Sequence, residues 1–251
     1  MAELTDKQLT RYARQLILPE VDLEGQQRLL ASHVLIVGAG GLGGPVAQYL
    51  SGAGVGQLRL VDDDLVDLSN LPRQIAFTES DIGHAKVEVL AGKLACANSD
   101  TTIDPRAERF DAHTAATLLA DIDLVIDATD SLRARLDIDR ATHHAGLPWI
   151  MGSAIKTAGQ WIVFDADRQS GCYHCLITEP EVADSAGCAQ LGILGPVAGL
   201  VAMHQSVMAI KVLLGLAVPW GELQMLDPWS GHYVEMSITK RKDCPLCRPM
   251  S

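Results

Sequence analysis

Short apolar runs recur along the first half of the chain, each followed by a stretch of helical character. His33–Gly38 (HVLIVG) predicts a buried strand, Gln57–Asp62 (QLRLVD) a second and Asp123–Ala128 (DLVIDA) another, with a weaker strand at Thr101–Ala107. Between them, Gly41 to Ala53 and Gly83 to Ala97 predict helices, and Leu4 to Leu18 predicts a short amphipathic helix bearing Arg11 and Arg14. Strands and helices alternating at this spacing imply parallel βαβ units and a doubly wound sheet. Beyond Leu147 the pattern changes. Pro148–Met151, Gln160–Asp165, Glu222–Asp227 and Tyr233–Thr239 predict strands with few helices between them, so mixed or antiparallel pairing is expected there. Pro196 to Leu216 predicts the main helix of that half.

The expected fold class is therefore α/β: a Rossmann-like, doubly wound, mainly parallel sheet continuing into a mixed or antiparallel C-terminal half. The expected organisation is one domain over 1–251. It comprises an N-terminal helical arm (1–30), a nucleotide-binding half (31–146) and a second half (147–251). A length of 251 residues with 48% apolar side chains suits a substantial core.

The formal net charge is −11, and an acidic chain disfavours a nucleic-acid partner, whose phosphates need clustered Lys and Arg. The stretch from Met1 to Glu20 lacks the continuous apolar core of a signal peptide. The most apolar later stretch, Leu191 to Leu216, is interrupted by Pro196, His204, Gln205 and Lys211, which fits a buried helix better than a membrane span. The expected compartment is the cytoplasm, where six cysteines read as metal ligands or reactive thiols rather than disulfides.

Gly38, Gly40 and Gly43 form a G-x-G-x-x-G that follows a strand and opens a helix. The first glycine permits the tight turn, the second lets backbone approach a phosphate, and the third lets helix and strand pack closely. The helix N-terminus then offers free N–H groups to an anion. Asp62 ends the next strand at the distance expected of a ribose-binding acid. NAD fits this much as well as ATP does. A triphosphate, however, needs cationic groups and usually Mg²⁺, and Arg14, Arg73 and Lys86 are isolated basic residues placed to serve; each taken singly reads more often as a solvated surface charge. Beyond the DLVI strand, Asp130 is the candidate Mg²⁺ carboxylate. The competing reading is that Asp127 or Asp130 caps the next helix.

Cys172-Tyr-His-Cys175 and Cys244-Pro-Leu-Cys247 are two C-x-x-C knuckles, and four thiolates so paired match one structural Zn²⁺ in a closed four-cysteine site. The alternative is redox-active C-x-x-C pairs. His174 need not be a ligand. Cys96 falls in an apolar helix and is expected in the core. Cys188, in DSAGCAQLG, is a candidate for covalent chemistry in a loop.

Together RYARQ, GAGGLGG, VDDD, SNLPRQ, GHAK, DATDSLRAR, CYHC and CPLC resemble the MoeB/ThiF family, bacterial relatives of ubiquitin-activating enzymes, in the family's order and over nearly the whole chain. The resemblance implies that ATP adenylylates the C-terminal Gly-Gly carboxylate of a small ubiquitin-fold sulfur-carrier protein of molybdopterin or thiamine biosynthesis. A sulfur-donor protein then acts on the adenylate. It implies that Gly41 and its neighbours contact phosphate and Asp62 the ribose; that Asn70, Arg73 and Lys86 face the phosphates; and that Asp130 serves Mg²⁺. Arg14 would reach across a homodimer to the partner's nucleotide, 147–251 would bind the carrier, and Cys188 would match a cysteine of the crossover loop that links covalently to the carrier in the thiamine branch. No room is expected after Cys247 for the rhodanese domain of longer relatives. Ser131 stands where the family usually has Asn, and Pro72 where Gln is usual. Two other readings remain open: an NAD-dependent oxidoreductase, and adenylation of a peptide C-terminus in natural-product biosynthesis.

Overall fold

The structure, a computed structural model, describes residues 3–177 and 192–247. Eight strands form one sheet in the order β3-β2-β1-β4-β5-β6-β7-β8. The strands are β1 (His33–Val37), β2 (Gln57–Val61), β3 (Thr102–Arg106), β4 (Leu124–Asp127), β5 (Trp149–Ile155), β6 (Ala158–Phe164), β7 (Glu222–Asp227) and β8 (His232–Ser237). From β3 to β5 every pairing is parallel, and from β5 to β8 every pairing is antiparallel. The strand direction changes one strand after the change of pattern at Leu147, because β5 still runs parallel to β4 and β6 is the first antiparallel strand.

The apolar run of β1 is buried because both of its faces are covered, as parallel strands require. Val34 and Ile36 join Leu58, Leu124 and Ile126 on one face, where they meet α4 (Gly43–Ala53), α5 (Lys86–Ala97) and α9 (Gly195–Leu213). On the other face Leu35, Val37 and Val125 pack with Trp149, Phe164 and Leu136 of α7 (Leu132–Ala145). The Trp149 and Phe164 rings stack at 4.7 Å, and Tyr173 of α8 (Tyr173–Leu176) meets both edge-on.

By length and composition α9 could cross a membrane. It lies instead on the sheet, with Val197, Ala198, Val201, Ala202, Gln205, Ser206 and Ala209 buried. Two glycines let it approach: a Cβ at Gly159 would come within 2.3 Å of Val201, and one at Gly152 within 2.4 Å of Gln205. Gln205 uses that proximity to donate from Nε2 to the carbonyl of Asp127 at 2.8 Å.

Four sequence expectations need correction. The helix expected over Leu4 to Leu18 is broken into α1 (Asp6–Arg11) and α2 (Ala13–Leu16), because Tyr12 turns inward, bonds Asp100 at 3.2 Å and is only 1% exposed. Helix α3 (Asp22–Ala31) was not foreseen, and α7 was expected only as an unbounded helix beyond Asp130. A four-residue helix, α6 (Ala115–Leu118), also precedes β4. Cys96 is exposed: α5 buries Lys86, Val87, Leu90 and Leu94, and Cys96 falls off that stripe.

Candidate active site and metal centre

The strand order reverses direction of growth at β1 and β4, and in open α/β sheets ligands bind beyond the carboxyl ends of strands at such a point. The glycine turn occupies the end of β1. Gly38 has φ +96°, and a Cβ there would sit 2.7 Å from the carbonyl oxygen of Ala128, so β1 and β4 touch through this residue. A Cβ at Gly43 would lie 1.7 Å from the Gly38 carbonyl oxygen, which requires glycine where α4 closes on the turn. Among the described residues the amides of Gly40, Gly41 and Leu42 donate to no protein acceptor. They point from the N-terminal end of α4 and suit an anion.

Asp62 follows β2 and braces this turn. Its Oδ2 accepts the Ala39 amide at 2.7 Å and its Oδ1 the Asp64 amide at 2.8 Å. Burial outweighs these donors and raises the Asp62 carboxyl above its ordinary range. Each oxygen retains a lone pair for a ribose hydroxyl.

Behind the turn stands the segment 68–74, a 3₁₀ turn (Leu68–Asn70) capped by the Asp67 carboxylate. Asn70 Oδ1 accepts from Gln74 Nε2 at 2.7 Å and from Arg73 Nη2 at 3.4 Å. The Arg73 backbone is wedged between two glycines. A Cβ at Gly41 would reach the Arg73 carbonyl at 3.0 Å, and one at Gly195 would reach the Pro72 carbonyl at 2.5 Å. Lys86, the first residue of α5, pairs with Asp64 at 2.7 Å.

At the end of β4, Asp127 is completely buried. Its Oδ1 accepts both the amide and the hydroxyl of Thr129, at 2.8 and 2.7 Å. Burial, only partly offset by Arg135, pushes its carboxyl up to about 6. Neither Asp127 nor Asp130 caps α7. Ser131 does, accepting the Ala134 amide at 3.3 Å. Asp130 is left exposed beside the turn, with no hydrogen-bond or ion-pair partner among the described residues. A single exposed carboxylate is a donor that suits Mg²⁺ when phosphate oxygens complete the shell.

One predicted residue is not brought in. Arg14 is exposed, and its neighbour Gln15 bonds the Ala53 carbonyl at 3.0 Å, at the C-terminal end of α4. The length of that helix, about 15 Å, separates it from the glycine turn of its own chain. Cys188 lies outside the described residues. Sequence reasoning missed Gln74 and Arg135, both buried, although each stands inside a motif already singled out.

The cysteine pairs converge. All four sulfurs lie within 4.8 Å of one another, with Cys172–Cys175 at 3.8 Å, Cys172–Cys244 at 3.5 Å and Cys175–Cys247 at 3.4 Å. A tetrahedral Zn²⁺ tetrathiolate with bonds of about 2.3 Å has sulfurs about 3.8 Å apart, so the donor set fits that ion. Backbone amides of Arg241 and Cys247 reach the sulfurs of Cys175 and Cys244 at 3.4 and 3.5 Å, as in metal-binding knuckles. Burial opposes ionisation at Cys172, Cys244 and Cys247. It pushes the Cys172 thiol up, whereas at Cys244 it is outweighed by the amides of Cys247 and Leu246, which bring that thiol down to about 7. Four thiolates complete a tetrahedral shell without His174, whose Nδ1 bonds Asp139 at 2.8 Å.

Residues 12–246 match the ThiF family. The chain is 39% identical over 244 residues to the sulfur carrier protein ThiS adenylyltransferase of Escherichia coli, covering 97% of each. It is 38% identical over 248 residues to the molybdopterin-synthase adenylyltransferase of Salmonella typhimurium, covering 98% of this chain and 99% of the other. Its fold matches the crystal structure of E. coli MccB with a TM-score of 0.81 at 20% identity, covering 96% of this chain and 72% of that one.

Proposed function

The chain belongs to the ThiF family, and on that premise we propose that it adenylylates the C-terminal carboxylate of a small ubiquitin-fold sulfur-carrier protein with ATP. The observation that carries the reading is the meeting at the β1/β4 switch point of free turn amides, the Arg73 and Lys86 segments and the unpartnered Asp130. A nicotinamide dinucleotide would leave Asp130, Arg73 and Lys86 without a task.

In the proposed reaction a carboxylate oxygen of the carrier attacks the α-phosphorus of ATP. The bond from that phosphorus to the bridging oxygen breaks, and pyrophosphate leaves. No general base is needed, since the attacking group is already ionised at neutral pH. The turn amides of Gly40, Gly41 and Leu42 hold phosphate oxygens, Asp62 holds the ribose, and Asn70, Arg73 and Lys86 line the triphosphate. Bound at Asp130, Mg²⁺ would neutralise phosphate charge. Zn²⁺ at the four cysteines is structural. In this reading residues 31–146 serve the nucleotide and 147–251 the carrier. The exposed Trp229, Tyr233, Val234 and Met236 around β8 suit the apolar face of such a carrier. Arg14 is exposed and stands a helix length from its own turn, which is compatible with service to the second subunit of a homodimer. A sulfur donor then displaces AMP from the acyl-adenylate. The enzyme works in the cytoplasm.

Carrier-dependent ATP–pyrophosphate exchange tests the reading. Carriers of the thiamine and molybdopterin types are offered with and without the terminal glycine. Exchange that requires the intact tail supports it, and the preferred carrier names the pathway. No exchange from a metal-loaded protein that binds ATP overturns the acceptor. The second reading, a peptide acceptor, then becomes the one to test, since MccB shares the fold.

A further inference from the structure

His174, inside the first knuckle, is held by a carboxylate on another element. Asp139 of α7 accepts on Oδ2 from the His174 backbone amide at 3.1 Å and from its Nδ1 at 2.8 Å. Its Oδ1 accepts from Arg168 Nε at 3.3 Å, so both oxygens are engaged. Arg168 is fixed in turn. It donates to Thr142 Oγ1 at 2.7 Å and to the carbonyls of Leu147, at 3.4 Å, and Asp165. Its backbone stands at φ +52°, which is uncommon for a residue with a side chain. The side chains of Asp139 and Arg168 are both 0% exposed. A pair this thoroughly desolvated keeps one arrangement, because a lost partner leaves a buried charge unpaired.

The two knuckles are braced by different means. In the second, the Cys247 amide reaches Cys244 Sγ at 3.5 Å, a contact internal to the knuckle. In the first, the Cys175 amide goes to the Cys172 carbonyl at 2.9 Å, while the His174 amide goes out to Asp139. The Arg168 carbonyl accepts the Gly171 amide at 3.1 Å, and Gly171, at φ +120°, leads directly into Cys172. The chain is thus tied to Asp139 on both sides of Cys172, through Arg168 before it and His174 after it.

We propose that Asp139 is a positioning residue for metal capture. Gripping Arg168 on one side and His174 on the other, it holds Cys172 and Cys175 in the arrangement that a Zn²⁺ tetrathiolate needs, so the ion meets a first pair already formed. His174 is the handle by which the knuckle is held, which gives the histidine of CYHC a task other than ligation. The proposal rests on Zn²⁺ at the four cysteines, as read above, and is independent of the reaction.

The measurement is the Zn²⁺ dissociation constant of the full chain, by competition with a chromophoric chelator, alongside Tm of the stripped and loaded protein. Asp139→Asn should weaken Zn²⁺ binding about 10–100-fold, the range for loss of a group that orients a metal ligand. A residue that only supports the fold lowers the stability of both states alike and leaves the dissociation constant unchanged; that result overturns the proposal. Where Asp139→Asn fails to fold, His174 carries the test. His174→Ala should weaken binding severalfold, and His174→Asn, whose side-chain N–H takes the place of Nδ1, should restore most of it. Wild-type affinity in His174→Ala, or no recovery in His174→Asn, overturns the proposal. Co²⁺ in place of Zn²⁺ supplies a spectroscopic check. The sulfur-to-Co²⁺ charge-transfer bands should keep their four-thiolate intensity in all three variants, and bands that change with His174 make it a ligand and overturn its role as the handle. A wild type that takes up no Zn²⁺ removes the metal reading and the proposal with it, whereas equal affinities remove the proposal alone.

Discussion

Lys86 Nζ lies 2.7 Å from Asp64 Oδ2, and the two partners are unequally wet: the lysine side chain is 4% exposed, the aspartate 68%. The ammonium is thus held in place by a carboxylate that water can readily take back, which leaves the cation available to a phosphate arriving at the glycine turn. Lys86→Ala should lower kcat/KM for adenylation by about 10²-fold or more, in the range for loss of one charge-stabilising group. Asp64→Asn should change it only severalfold, since an exposed pair contributes little. Pyrophosphate exchange with both variants decides it; equal losses would make Asp64 part of the site.

Asp130→Ala should abolish adenylate formation and leave thermal stability nearly unchanged, because the side chain is exposed and has no hydrogen-bond or ion-pair partner among the described residues. Activity is read by pyrophosphate exchange and the fold by circular dichroism. Near-normal turnover removes Asp130 from the phosphate site.

Two glycines of α4 should answer Gly→Ala substitution with opposite signs. Gly43 has the Gly38 carbonyl 1.7 Å from where its Cβ would stand, while Gly52 has nothing within 4 Å. Gly43→Ala should cost at least about 1–3 kcal/mol of stability and impair ATP binding. Gly52→Ala should be neutral or stabilise by up to about 1 kcal/mol. Urea denaturation of both variants tests the pair.

Asp127 predicts a pH dependence. Its carboxyl is raised from 3.8 to about 6 in the folded protein, chiefly by burial. Between those values the folded state retains a proton that the unfolded state has released, so the group's contribution worsens as pH rises through the window. The stability of the wild type relative to Asp127→Asn should fall by about 2 kcal/mol from pH 4 to pH 6.5 and level off above pH 7. A flat difference would mean that Arg135 compensates the carboxylate fully.

Metal analysis should find about one zinc per chain. Cys172→Ser or Cys244→Ser should each lower the metal content and Tm. A metal-free protein with an unchanged Tm would assign the cysteines some other task.

The parallel half was legible because β1, β2 and β4 are short apolar runs, and because the glycines between β1 and α4 are demanded by contacts with backbone that no side chain can relieve. The cysteine spacing likewise announced a tetrad that the fold then assembled. What escaped was the extent and the buried face of α7, expected only as a helix beyond Asp130. Its buried face carries Arg135, Asp137 and Asp139 among Leu136 and Ile138, so the helix hides charges where an apolar stripe is sought. Arg135 escaped with it, since a lone arginine in DATDSLRAR reads as solvated until its partners are in place. The break at Tyr12 was hidden for a related reason: the polar anchors that draw it inward, Asn98 and Asp100, lie far along the chain.

The tetrathiolate joins cysteines 72 positions apart, and its second pair comes after β8. A ribosome delivering this chain therefore releases the glycine turn, both switch-point strands and the first knuckle long before Cys244 and Cys247 emerge. Until they do, the first pair has only two sulfurs to offer. The clasp can close only once β7 and β8 have been synthesised and have added themselves to the sheet. Metal capture by this tetrad would thereby be a late event in biogenesis, one that registers completion of the antiparallel half, and a truncated polypeptide that stops within it would remain without its fastening.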